Sequence, residues 1–136
     1  MRLLRDLRER QRGPAMAQRM TPMIHVPDVR ATIEWYTRLG FKVESTNEHD
    51  GVIDWALLSF GQGRVMFNAG GKLTSDARRE VDLYVNTENV GELYERLKDL
   101  VTVQKGVHET FYGMREFIIR DINGFWVTFG ESIGQP

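Results

Sequence analysis

His25, Glu80 and Asp82 are the residues whose types could do chemistry together in this sequence. A histidine titrates near neutral pH, so beside a carboxylate it suits proton transfer, and the same donor types can also hold a divalent metal. The sequence offers these residues no nucleophile and no oxyanion stabiliser. It has no cysteine, no GxSxG, no P-loop and no dinucleotide fingerprint, and "GQG" at 61–63 and "AGG" at 69–71 are too short to cradle a phosphate and read as turns. His49 and His108 fall in apparent loops, where an exposed side chain is the expectation.

Strand alternation decides which of these groups can meet. His25 shares parity with Thr21 and Met23, while Glu80, Asp82 and Tyr84 share another face. Phe67, Tyr84 and Trp126, with Trp55 as a further candidate, would wall a cleft in aromatic surface, and the acidic pair would meet a positive group of the ligand. Trp35, Tyr36 and Phe129 are expected in the core on the helix side. Arg115, in "GMREF", reads either as a cleft-rim residue or as the partner of a carboxylate.

The elements that position these side chains come from a repeat. Residues 51–70, "GVIDWALLSFGQGRVMFNAG", lie over 112–131, "YGMREFIIRDINGFWVTFGE", without a gap, so that Gly63 meets Gly124 and Phe67 meets Thr128. The same offset carries Val29 onto Val90 and Leu39 onto Leu100. Each copy reads as strand, helix and three strands. In the first, "MIHV" precedes a helix capped by Asp28, with Val29, Ile33, Tyr36 and Leu39 at helical spacing and Gly40 as its stop. "FKVEST", "VIDWALLSF" and "RVMFN" follow as strands.

In the second copy, "VDLYV" leads to a helix through Val90, Leu93, Tyr94 and Leu97, then to "VTVQK", "EFIIRD" and "FWVTFG". Asn123-Gly124 is expected to supply the positive φ values of a two-residue hairpin turn. The fold class is therefore α+β, two βαβββ modules in tandem forming a curved mixed sheet around a cleft. The expected divisions are a basic extension at 1–19, a first module at 20–70, a linker at 71–79 and a second module at 80–133.

Composition narrows the class of protein. At 136 residues and 41% hydrophobic, the chain can bury about two thirds of its unfolded surface without disulfides. The longest apolar runs fall far short of the roughly 20 residues that cross a bilayer, so neither membrane nor a compartment other than the cytoplasm is called for, and a cytoplasmic location is the default. A net charge of −1 gives no electrostatic case for nucleic acid. Six arginines against Asp6 and Glu9 make residues 1–20 basic, without the apolar stretch of a secretory signal, and Met16 and Met20 are alternative starts.

With "IHVPDVRATIEWYTRLGF" opening the first module and "YGMREFIIRDINGFWVTFGE" closing the second, residues 20–133 resemble the vicinal oxygen chelate superfamily of glyoxalases, extradiol dioxygenases and bleomycin-resistance proteins. In its metal-dependent members, histidines and glutamates come from the first and last strands of the modules. By register the resemblance places Thr21, Phe67, Glu80 and Thr128 at those positions, too few donors for a divalent ion. It implies the metal-free, bleomycin-resistance-like branch: no cofactor, a homodimer, and a small-molecule ligand held by His25, Phe67, Glu80, Asp82, Tyr84, Trp126 and Thr128. The competing expectation is a lyase, isomerase or dioxygenase that uses a displaced metal or metal-free acid and base chemistry.

Overall fold

In the computed structural model of the chain, residues 19–72 and 81–134 are described. The first module runs β1 (Met23–Val26), α1 (Val29–Arg38), β2 (Lys42–His49), β3 (Val52–Phe60) and β4 (Gly63–Ala69). The second runs β5 (Asp82–Asn86), α2 (Val90–Leu97), β6 (Thr102–Glu109), β7 (Met114–Arg120) and β8 (Trp126–Ser132). Each makes a four-stranded mixed sheet, in the orders β1-β4-β3-β2 and β5-β8-β7-β6, with one parallel pair at β1/β4 and β5/β8. The outer strands β2 and β6 are both broken by register shifts, and every residue of β2 is exposed.

Local chemistry accounts for the helix starts. Asp28 accepts a 3.0 Å hydrogen bond from the Ala31 amide and caps α1 through its side chain. Asn89, at the head of α2, has φ of 55° and makes no side-chain cap. Glu131 of β8 supplies the carboxylate there instead, accepting from the amides of Asn89 at 3.0 Å and Val90 at 3.3 Å. Arg115 reaches the same Glu131 at 3.5 Å and Glu109 at 3.2 Å, so it pairs with carboxylates at the sheet end.

Strand alternation sorts the sheets into a helix-side face and an open face. Ile24, Val26, Ala56, Leu58, Val65 and Phe67 face α1, and Phe117, Ile119, Val127 and Phe129 face α2; all are buried. Tyr36 of α1 packs on Phe67 with centroids 4.9 Å apart, and Tyr94 of α2 on Phe117 at 5.2 Å. The two helix sides merge into one core, with Phe60 of β3 lying 6.5 Å from Phe129 of β8. Each open face is consequently left without a helix among the described residues. A cleft of about 590 Å³ lies between the modules, lined in part by Phe41, Phe60, Arg64, Leu83 and Tyr84.

Two expectations about the repeat are corrected by one residue. Leu58 pairs with Val65 seven positions on, but Ile119 pairs with Val127 eight positions on. The second hairpin therefore holds an extra residue, closed by Asp121 N–H to Phe125 O at 2.8 Å, and only Gly124 in it has positive φ, at 83°. Asn123 takes another role: its amide nitrogen donates to Thr32 of α1 at 3.1 Å, while Tyr36 of α1 donates to Asp121 at 2.6 Å. The extra residue thus comes with a turn that docks the second module on the first helix.

Candidate functional site

The open face of the second sheet carries the densest chemistry among the described residues. Its strands place Asp82 and Tyr84 on β5, Trp126 and Thr128 on β8, and Glu116 on β7, all opposite in parity to the half-buried Leu83 and the buried Phe117, Val127 and Phe129. Register pairs Asp82 with Trp126 and Tyr84 with Thr128, so four of the expected ligand-binding residues come together. His25 sits on the open face of the first sheet, exposed, with its Nδ1 3.1 Å from the Ala69 carbonyl. Trp55 shares that face and is half-buried.

Phe67 is not a cleft residue. It is fully buried against Tyr36 on the helix side, because the extra residue in the second hairpin makes Met66, not Phe67, the structural mate of Thr128. A shift of one residue along a strand exchanges the two faces. Glu80 lies outside the described residues, as do residues 1–18 of the basic extension and 73–79 of the linker.

Glu116 was not foreseen as a site residue. Its side chain is almost fully buried, and its Oε2 accepts from the Tyr84 hydroxyl at 2.6 Å and the Tyr112 hydroxyl at 2.8 Å. Oε1 lies 2.9 Å from Tyr112 Oη and 3.9 Å from Nε2 of His108. His108, expected in a loop, stands on β6 and is anchored by Nδ1 on the Gly106 carbonyl at 2.8 Å. His49 closes β2, fully open to solvent beside Asp50.

Tyr84 reaches Glu116 by lying across Gly130 of β8, where a Cβ would collide with its hydroxyl. Burial, and then the hydrogen bond and charge of Glu116, push the Tyr84 phenol well above its ordinary value; for Tyr112 the bond to Glu116 is the leading cause of an upward shift. Both therefore stay neutral hydrogen-bond donors.

Metal ligation was tested against the residues present. Thr128 offers a hydroxyl, Phe67 is in the core, Thr21 precedes β1, and among the described residues no three histidine, cysteine or acidic side chains converge. Among the described residues, that donor set does not fit a divalent ion. The arrangement can instead present aromatic rings and hydrogen-bonding hydroxyls to a ligand.

Comparisons with known proteins agree with the fold. The model of the family described as the Glyoxalase/Bleomycin resistance protein/Dioxygenase superfamily matches residues 20–129. Among solved structures, TioX from Micromonospora sp. ML1 is similar with a TM-score of 0.71 at 22% identity, over 85% of this chain and 99% of that one. A bleomycin-binding protein complexed with bleomycin gives 0.68 at 17%, over 85% and 99%. A glyoxalase-related enzyme from Clostridium phytofermentans gives 0.72 at 18%, over 90% and 99%. No curated protein matches the sequence.

Proposed function

Because the chain belongs to the Glyoxalase/Bleomycin resistance protein/Dioxygenase superfamily, we propose that it binds and sequesters a small molecule without a metal, in an aromatic-walled site on its open sheet faces. The observation that carries this reading is the neighbourhood of Thr128. A hydroxyl stands where the metal-dependent pattern has a carboxylate, and Tyr84 beside it and Trp126 on the same face offer rings for stacking. The nearby carboxylate, Glu116, spends its oxygens on two tyrosines. His25 stands on the other sheet from Asp82, with its Nδ1 3.1 Å from the Ala69 carbonyl, which weighs against acid and base chemistry by that pair.

A homodimer completes the site in this reading. The helix sides of both modules are consumed by the shared core, so the surface that would close over an open face must come from a second copy. That a structural neighbour is described as complexed with bleomycin supports a small-molecule ligand of the same general kind.

Calorimetric titration of metal-stripped protein with nickel, manganese, iron(II) and zinc ions tests the proposal, with sedimentation to read the oligomer. The expected result is a dimer that takes up no stoichiometric metal at micromolar affinity. Stoichiometric uptake that disappears in His25→Ala would replace this reading with a metalloenzyme using shifted ligands.

A further inference from the structure

Glu116 presents an unusual electrostatic situation. A buried carboxylate is costly unless compensated, and this one is compensated by two neutral phenols. Among the described residues its ion pair is the 3.9 Å approach of His108, whose ring is charged only when protonated. Tyr84 and Tyr112, whose hydroxyls bond Glu116, are 46% and 51% exposed, and Phe111, 89% exposed, packs edge to face on Tyr112 at 5.1 Å. These residues come from β5, the β6–β7 turn and β7, and the two tyrosine hydroxyls converge on one carboxylate.

Each feature selects the same ligand chemistry. The rings offer negative faces, and the carboxylate beneath adds a negative field that its hydroxyl donors attenuate without neutralising. Anions are repelled. A strongly hydrated metal ion gains little, since the carboxylate oxygens are already engaged and shielded from solvent. A weakly hydrated organic cation gains from both the rings and the field.

We infer that Tyr84 and Tyr112 above Glu116, with Phe111 packed on Tyr112, form a subsite for an organic cation, the ammonium or guanidinium end of an aromatic ligand. This rests on the small-molecule reading above and adds the sign of the ligand's charge to it. Glu116 acts here through the rings and hydroxyls above it, while Tyr84 and Tyr112 touch the ligand.

Calorimetry on the full chain with three probes of one aromatic core tests it: benzyltrimethylammonium, phenethyl alcohol and phenylmethanesulfonate. The cation is expected to bind about tenfold more tightly than the neutral probe, with the sulfonate weakest. Glu116→Gln should remove most of that preference, weakening the cation severalfold more than the neutral probe. Should Glu116→Gln fail to fold by circular dichroism, Tyr112→Leu carries the test, since that ring is half exposed, and it should weaken the cation severalfold. Equal binding of cation and neutral probe, or a preference that survives the folded variant, overturns the subsite but leaves the binding reading standing. Failure of all three probes to bind overturns both.

Discussion

The hydroxyl of Tyr36 in the first module donates a 2.6 Å hydrogen bond to Asp121 in the second, and both side chains are buried. The other carboxylate oxygen of Asp121 accepts the amides of Asn123 and Phe125, each at 2.8 Å, so one side chain ties the turn to itself and to the neighbouring helix. Tyr36→Phe should leave the turn intact but remove one hydrogen bond to a buried carboxylate, costing about 1–3 kcal/mol in urea unfolding. Asp121→Ala should cost more, because the turn loses its bonds as well.

Alkaline pH should act through the same pair. Burial first, then the charge and hydrogen bond of Asp121, push the Tyr36 phenol well above its ordinary value. The unfolded chain therefore releases a proton above about pH 10 that the folded chain retains, and stability falls as pH rises, by up to about 1.4 kcal/mol per pH unit for this one group. Urea midpoints of wild type and Tyr36→Phe compared at pH 9, 10 and 11 should converge as pH rises.

Gly130→Ala should separate the site from the fold. The added Cβ meets the far end of a flexible side chain, so the Tyr84 ring can swing away at modest cost, giving up its bond to Glu116. The expected result is a melting temperature within a few degrees of wild type and weaker cation binding. An unfolded protein would place Gly130 among structural residues only.

Phe67 and Trp126 should respond in opposite ways. Phe67→Ala removes a fully buried ring and should cost about 3–5 kcal/mol. Trp126→Ala, on the open face, should change stability far less and reduce affinity for an aromatic ligand. Paired denaturation and titration of the two variants distinguishes core from site.

Gly71 marks a close crossing. Its amide donates to the Val26 carbonyl at 3.1 Å, and a Cβ there would collide with the His25 backbone, which cannot yield as a side chain can. Gly71→Ala should cost about 2 kcal/mol or more, read as a fall in melting temperature, although no side-chain contact is lost.

Both modules were legible in the sequence because hydrophobic periodicity and repetition report burial directly: "MIHV" is β1, "VIDWALLSF" is β3, and Val29 and Tyr36 lie on the buried face of α1. Faces were less secure. The single residue added between Ile119 and Val127 left the helix-side strands recognisable while exchanging the orientation inferred for Phe67. Glu116 escaped notice because a glutamate in a strand ordinarily points to solvent. Its alternation with Phe117 and Ile119 put it on the open face, but only the reach of Tyr84 and Tyr112 buries it. Their convergence depends on residues 32 and 4 positions away in the chain, a relation that no local pattern encodes.

The broken registers of β2 and β6 carry a consequence for supply. In the sequestration reading proposed above, a binder that removes its ligand one for one protects only as far as its own concentration reaches, so it must tolerate being abundant. Outer strands that kink, with Lys42, Glu44 and Glu48 along β2, make poor templates for a further strand. The same irregularities disfavour edge-to-edge pairing of copies at that side of each sheet.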